Sequence, residues 1–354
     1  MSVGNEDIPA SARLRLDGAA LVANWNALDR LSGSASAGAA VKADGYGLGA
    51  RGVTKRLIAA GCRDFYVANW QEASDIADLI AGDARISVLN GVQDSEMPAA
   101  LASPAKPVLN SLEQARRWRD TGRPCDLMIN SGMNRLGINP DQLAQAELDQ
   151  LDIDMVMSHL ASADEDVDQN ADQLSEFREA LQQVSARRIS FANSAGIALG
   201  EDYHFDATRP GLALYGGQPR AELKDHIEQV AWPECQIVQI RQLRSGDRLG
   251  YNARYIAEDD HPVAILAMGY ADGYLRSFAG SGYFVADGQK LPVLGRISMD
   301  LTAVDIRSAS ALAEGDWLGC GYDLPDASVA SGLSQYELLT NLGQRFARDW
   351  TDTP

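Results

Sequence analysis

The stretch Ala39-Ala40-Val41-Lys42-Ala43-Asp44-Gly45-Tyr46-Gly47 sets the reading of the whole chain. Its apolar half predicts a short strand over 38–43, with a single amine, Lys42, at the C-terminal end. A Gly-Tyr-Gly turn follows at once. A lysine amine is unreactive toward carbon while protonated and becomes a nucleophile when desolvated. A lone lysine leaving an apolar strand for a glycine turn therefore suits Schiff-base chemistry with a carbonyl compound. The ordinary alternative is a strand-end lysine whose stem packs while its amine reaches water. This segment alone does not separate the two.

Working outward, short apolar runs alternate with helical patterns. Candidate strands fall at 38–43, 64–68, 86–90, 106–109, 125–130, 154–159, 187–192 and roughly 204–214. Helical patterns lie between them at 50–60, 71–81, 111–120, 140–149 and 171–185. Asn110-Ser111-Leu112-Glu113 carries helix-start chemistry. Eight strands with intervening helices predict an α/β fold whose N-terminal part is a (β/α)8 TIM-type barrel, with a doubly wound open sheet as the alternative. After about residue 217 the texture changes. Strand-like runs at 235–243, 263–268, 282–286, 291–295, 301–306 and 316–320 are separated by turns such as Ser245-Gly246-Asp247, and the next helical pattern is 334–349. The expected domains are 1–217, a barrel, and 218–354, a β-rich domain, with the first ten or so residues packing with the second.

At 45% hydrophobic and 23% charged residues, the chain has the composition of a globular protein. A net charge of −18 argues against nucleic acid or an anionic membrane as partner. Cys62, Cys125, Cys235 and Cys320 are widely spaced, with no CxxC pair, so no metal site is expected. Reduced, buried thiols, the absence of a signal peptide and the absence of a long apolar run together predict a cytoplasmic protein.

Barrel enzymes build their sites at the C-terminal ends of the strands. On the predicted rim stand Lys42, the turn Asn130-Ser131-Gly132-Met133-Asn134-Arg135, His159, Asn193-Ser194-Ala195-Gly196, and Arg209-Pro210-Gly211-Leu212. Cations beside small-residue turns suit an anionic ligand, and the turns after the last two strands are where barrels commonly hold phosphate. Each residue also has an ordinary reading: a tight turn, a core histidine, a surface arginine, a strand tyrosine.

Along nearly its whole length the chain resembles the alanine racemase family of fold-type III enzymes, which depend on pyridoxal 5'-phosphate (PLP). Val41-Lys42-Ala43-Asp44-Gly45-Tyr46-Gly47 looks like the family's PLP-lysine motif, and Ser131-Gly132-Met133-Asn134-Arg135-Leu136-Gly137 like its TGMxRxG motif. Ser158-His159-Leu160-Ala161, Asn193-Ser194-Ala195 and Arg209-Pro210-Gly211-Leu212-Ala213-Leu214-Tyr215-Gly216 match in turn. In the second domain, so do Leu249-Gly250-Tyr251, Met268-Gly269-Tyr270-Ala271-Asp272-Gly273-Tyr274, Gly295-Arg296-Ile297-Ser298-Met299-Asp300 and Gln335-Tyr336-Glu337.

The resemblance implies interconversion of L-alanine and D-alanine by two bases, Lys42 on the D-face and Tyr251 on the L-face. It implies a relay of His159 and Arg209 toward Tyr251, with Arg135 near that phenol and the substrate carboxylate. Arg209 is implied to face the pyridine nitrogen, and Tyr46, Ser194, Gly211, Leu212 and Tyr336 to hold the cofactor phosphate. Tyr270 and Met299 would narrow the substrate entrance. Because Tyr251, Tyr270 and Met299 serve the other subunit's site in this family, a head-to-tail homodimer is expected.

The chain departs from the family at Met128-Ile129-Asn130, where many members carry a carbamylated lysine two residues before an aspartate. Arg135 then lacks its usual anionic partner, and a chloride held by Arg135 and Asn130 is the expected substitute. Leu48 stands where a histidine is usual. The alternatives are a broader alanine/serine racemase, a fold-type III decarboxylase, a non-catalytic PLP carrier, and a sugar-processing barrel with an aldolase-type lysine. The role implied is peptidoglycan precursor supply or alanine catabolism.

Overall fold

The first of eight parallel strands runs in two pieces, Ser36–Ala37 and Ala39–Ala40, on either side of Gly38. The computed structural model describes residues 9–351. It continues the set with Asp64–Val67, Arg85–Val88, Lys106–Leu109, Pro124–Met128, Asp152–Met157, Arg188–Ser190 and Ala207–Thr208. Each strand pairs in parallel with the next. Ser36–Ala37 pairs with the eighth and Ala39–Ala40 with the second, so the sheet closes on itself as a TIM-type barrel. Gly38 makes closure possible. A Cβ there would lie 2.7 Å from the Asp64 carbonyl oxygen and 2.7 Å from the Tyr66 ring.

The helices form where side-chain spacing and caps agree. Ala50–Ala60 ends at left-handed Gly61. Trp70–Ile76 is capped by Asn69 and Leu112–Arg119 by Ser111, whose side chain accepts from the Gln114 N–H. Some expectations fail for local reasons. The expected helix at 140–149 is two 3-10 turns, Pro140–Gln145 and Leu148–Gln150, split before Glu147 with its left-handed φ of 48°. The eighth strand is only Ala207–Thr208, since Pro210 soon follows and has no N–H to donate.

Toward the N-terminal end of the barrel, charged side chains pair inside it. Arg188 bonds both oxygens of Asp64 (2.7 and 2.9 Å) and Asp154 (2.8 Å). Lys106 bridges Asp154 and Asp126, the latter at 2.7 Å, and Ser87 donates to Asp126 at 2.6 Å. Burial pushes the Asp154 carboxyl up, but its bonds to Arg188 and Lys106 outweigh that and hold it at about 2. For the fully buried Asp126, burial wins and the pKa is raised despite Lys106 and Ser87.

The chain divides into two compact units, Ala20–Glu228 and a second made of Met1–Ala19 with Gln229–Pro354. The second unit is built on an eight-stranded sheet. Its long strand Ala231–Leu243 pairs antiparallel with Ala12–Asp17, Trp317–Cys320 and His261–Leu266. Ala12–Asp17 lies between that strand and the parallel Ala347–Thr351. Leu14 and Leu16 are fully buried, alternating with outward Arg13 and Arg15. Of the ten N-terminal residues expected to join this domain, 1–8 lie outside the described residues. The pattern at 334–349 is a short helix, Gln335–Thr340, followed by the strand Ala347–Thr351. The helices Gly18–Leu31 and Leu324–Ser331 were not expected from the sequence.

All four cysteines are buried free thiols. No helix among the described residues is long and apolar enough to cross a membrane. Gly38→Ala is expected to lower stability by about 1–3 kcal/mol, the range for forcing atoms into a packed site. An unchanged thermal midpoint would show that the strand break does not need a glycine.

Candidate active site

The first barrel strand stops at Ala40, so Lys42 does not end a strand as expected; it opens the helical turn Lys42–Tyr46. Ala43, Asp44, Gly45 and Tyr46 all have left-handed φ, between 52° and 61°. Three of these are not glycine, and such a backbone costs an L-residue about 1–2 kcal/mol each. The surroundings hold the turn. The Gly45 N–H donates to the Val41 carbonyl (2.9 Å) and the Gly47 N–H to that of Ala43 (2.9 Å). The Asp44 carboxylate accepts from the Ala50 N–H at 2.8 Å. Glu72 accepts from the Ala43 N–H through one oxygen (2.8 Å) and from the Ala68 N–H through the other (2.7 Å). Buried Tyr46 stacks on Tyr215 with ring centroids 4.6 Å apart.

The eighth rim turn meets Tyr46, and the seventh is tied to the eighth. A Cβ on Gly211 would lie 2.2 Å from the Tyr46 hydroxyl, so a bare backbone faces that oxygen. The Ser194 hydroxyl accepts from the N–H groups of Gly211 (2.9 Å) and Ala213 (3.2 Å), drawing the seventh and eighth turns together. Ser194 itself starts a turn capped by Asn193. Leu212 opens the 3-10 turn Leu212–Tyr215, where the first N–H groups have no partner within the turn.

Arg209 is buried at the eighth strand end. It donates to the Ser190 hydroxyl, to the Ser158 carbonyl, and at 3.4 Å to the Phe191 carbonyl. The Ser158 hydroxyl meets that of Ser131 at 2.7 Å. Among the described residues no hydrogen bond joins His159 to Arg209. Dense packing, then Arg209, Arg135 and Lys42, push the His159 imidazole down to about 3, which leaves it neutral at physiological pH. Burial, then the positive charge of Arg135, lowers the Lys42 amine below the usual lysine value, while Glu72 opposes them. Arg209 is itself lowered by burial, partly offset by Tyr66 and Asp126.

In the loop before Arg135, the Asn130 side chain is tied into a network of its own. The Asn130 side-chain nitrogen donates one proton to Asn134 Oδ1 (2.9 Å) and the other to Asn139 Oδ1 (2.8 Å). Asn130 therefore has no side-chain donor left for an anion.

The second unit brings two other predicted residues together. The Tyr270 N–H donates to the Ser298 carbonyl (3.0 Å) and the Ala271 N–H to that of Met299 (2.9 Å). Arg345 clasps both motifs through Asp272 (2.8 and 2.9 Å) and Asp300 (2.7 Å). Tyr251 stands in a turn between Arg248–Leu249 and Tyr255–Ile256 and is 68% exposed. The base of that turn is anchored where the Tyr255 hydroxyl meets His261 Nε2 at 2.9 Å. Met299 is 54% exposed, and Tyr336 lies on Gln335–Thr340.

Sequence reasoning missed Glu72 and Ser190. Glu72 was findable in part, since Asn69-Trp70-Gln71-Glu72 reads as a helix start just after the second strand. Ser190 carries no motif, and only the pairing of the seventh and eighth strands brings it to Arg209.

The fold and rim define a barrel enzyme completed by a β-rich domain. Residues 16–219 match the alanine racemase N-terminal domain and residues 230–350 the alanine racemase C-terminal domain. The chain is 39% identical to the catabolic alanine racemase of Rhizobium johnstonii, over 96% of this chain and 95% of that one. It is 38% identical to the biosynthetic alanine racemase of Agrobacterium fabrum, over 96% and 94% respectively. It is similar in fold to the crystal structure of alanine racemase from Bartonella henselae with covalently bound pyridoxal phosphate, with a TM-score of 0.91 and 32% identity over 97% of this chain and 100% of that one. The chain belongs to the alanine racemase family, a family of isomerases.

The depressed imidazole has a consequence for stability. An unfolded His159 takes up a proton near pH 6.5, whereas the folded one resists until about 3. Within that window the unfolded state binds more protons, so falling pH destabilises the fold; above 6.5 the effect vanishes. Urea unfolding of wild type and His159→Gln across pH 4–8 is expected to diverge below about 6.5, by at most about 1.4 kcal/mol per pH unit. Parallel curves would mean that His159 ionises normally.

Proposed function

We propose that this protein interconverts L-alanine and D-alanine with PLP by a two-base mechanism. The observation that carries the reading is one rim joining a lysine amine of lowered pKa, a glycine turn packed on the Tyr46 hydroxyl, and buried Arg209. Membership of the family over both domains supports it.

The rim suits the cofactor. Gly211 leaves only backbone opposite Tyr46, and Ser194 gathers both turns, as a phosphate cradle requires. In this reading Tyr46, Ser194, Gly211, Leu212 and Tyr336 hold the phosphate, Lys42 binds the aldehyde carbon, and Arg209 faces the ring nitrogen. Bound PLP supplies an electron sink that makes the substrate α C–H acidic. Once the substrate amine has displaced it from the aldehyde carbon, Lys42 Nζ would take or return the proton on the D-face, and burial favours its neutral form. Tyr251 Oη does the same on the L-face. A free tyrosine has a pKa of about 10, so it needs nearby cations to act as a base, which Arg135 and Arg209 supply. Arg209 keeps its own proton and gives none to the ring nitrogen, a restraint that limits side reactions. Arg135 and the Met299 N–H receive the substrate carboxylate, while Tyr270 and Met299 narrow the entrance.

Tyr251, Tyr270 and Met299 act in the site of a second copy, in a head-to-tail homodimer. The exposure of Tyr251 and Met299 on the single chain supports this. The barrel unit, Ala20–Glu228, binds the cofactor, and the β-rich unit completes the partner's site. The protein works in the cytoplasm, supplying D-alanine for peptidoglycan or serving alanine catabolism; relatives bear names of both kinds. The departure at Met128 favours serine as a second substrate to test.

Proton NMR of L-alanine in deuterated buffer, with PLP and purified protein, is expected to show loss of the α-proton signal and, by chiral separation, an equal L/D mixture. Lys42→Ala and Tyr251→Phe should each lower racemisation on the order of 10²–10⁴-fold, the usual weight of a positioned acid–base group. Exchange with retention of chirality would refute the assignment of Tyr251, and no exchange with alanine or serine would refute the racemase reading.

A further inference from the structure

We infer that Asn130 positions Arg135, fixing by neutral hydrogen bonds a loop for which the family pattern leads one to expect an anion. The inference rests on the proposed role of Arg135 as receiver of the substrate carboxylate.

The loop is tied at its base and again at its tip. At the base, the Asn130 N–H donates to the Ile138 carbonyl (3.0 Å) and the Ile138 N–H to that of Met128 (2.9 Å). Within the loop, Asn130 Oδ1 accepts from the N–H groups of Asn134 (2.9 Å) and Gly132 (3.3 Å). Its Nδ2 donates to Asn134 Oδ1 and Asn139 Oδ1. Asn134, directly before Arg135, has a left-handed φ of 56°, a conformation that asparagine tolerates better than most residues. One amide therefore fixes both the backbone and the side chain of the residue before Arg135.

Arg135 is exposed on the single chain and makes no hydrogen bond or ion pair among the described residues. The ordered backbone of Asn134 sets the point from which the Arg135 side chain leaves the loop. A neutral amide orients the loop without cancelling the guanidinium's charge, which continues to lower Lys42 and His159. A bound anion would orient Arg135 and weaken that field at the same time.

The test compares wild type, Asn130→Ala and Asn139→Ala in three readouts. The first is steady-state kinetics with L-alanine. Each variant is expected to raise KM on the order of tenfold or more while kcat changes less, since misplacing a substrate-orienting group is costly. The second is wild-type KM after chloride is replaced by gluconate, which is expected to stay constant. The third is amide hydrogen exchange of the cofactor-free chain. Protection at Gly132 and Asn134 is expected to be lost in Asn130→Ala while the melting midpoint stays near wild type. An unchanged KM in Asn130→Ala, or a wild-type KM that rises without chloride, would overturn the inference. A wild type that racemises nothing would sink the racemase reading instead. Exchange would still judge Asn130, because unchanged protection at Gly132 and Asn134 would overturn its role whatever the activity.

Discussion

Arg209 carries its charge inside the barrel, and among the described residues no carboxylate bonds to it. Its terminal nitrogens are committed to a serine hydroxyl and two main-chain carbonyls. Such acceptors satisfy the donors but do not neutralise the charge. The field therefore persists at the rim and, with packing, leaves His159 neutral. Compensation comes from below. The interior cluster near the strand starts sets three carboxylates, Asp64, Asp126 and Asp154, against Lys106 and Arg188. Of these, Asp126, after Tyr66, raises the Arg209 pKa against the effect of burial. A chain of net charge −18 thus keeps a cationic mouth on its barrel.

The turn after Lys42 adds a mechanical constraint. Left-handed backbone at Ala43, Asp44 and Tyr46 is unfavourable in isolation, so it persists only where the surroundings over-determine it. Glu72 contributes most directly, by joining the Lys42 turn to the residue after the second strand. Its carboxylate also favours a protonated Lys42, yet burial and Arg135 outweigh it and the net shift is downward. The same side chain thus secures the geometry of the amine and tempers its reactivity.

The alternation of apolar runs and helical patterns made the barrel legible, because a parallel strand buried on both faces leaves an unbroken apolar signature. The rim was legible through short local motifs at strand ends. Other features depend on closure rather than on sequence neighbours. Ser190 meets Arg209 only once the seventh and eighth strands pair. The strand Ala12–Asp17 alternates Leu14 and Leu16 with Arg13 and Arg15, but its partners lie more than 200 residues away. Asn130 was read as an anion ligand because its chemistry allowed it. Only the positions of Asn134 and Asn139 reveal that its amide is already engaged.

That first strand also imposes an order in time. Ala12–Asp17 sits between Ala231–Leu243 and Ala347–Thr351, whereas Ala20–Glu228 forms a unit of its own. During synthesis the barrel segment leaves the ribosome complete, while the strand preceding it has no neighbour to join. At ordinary elongation rates that wait lasts on the order of tens of seconds. The outward Arg13 and Arg15 then act as guards, giving an unpaired edge the positive charges that discourage pairing with another chain.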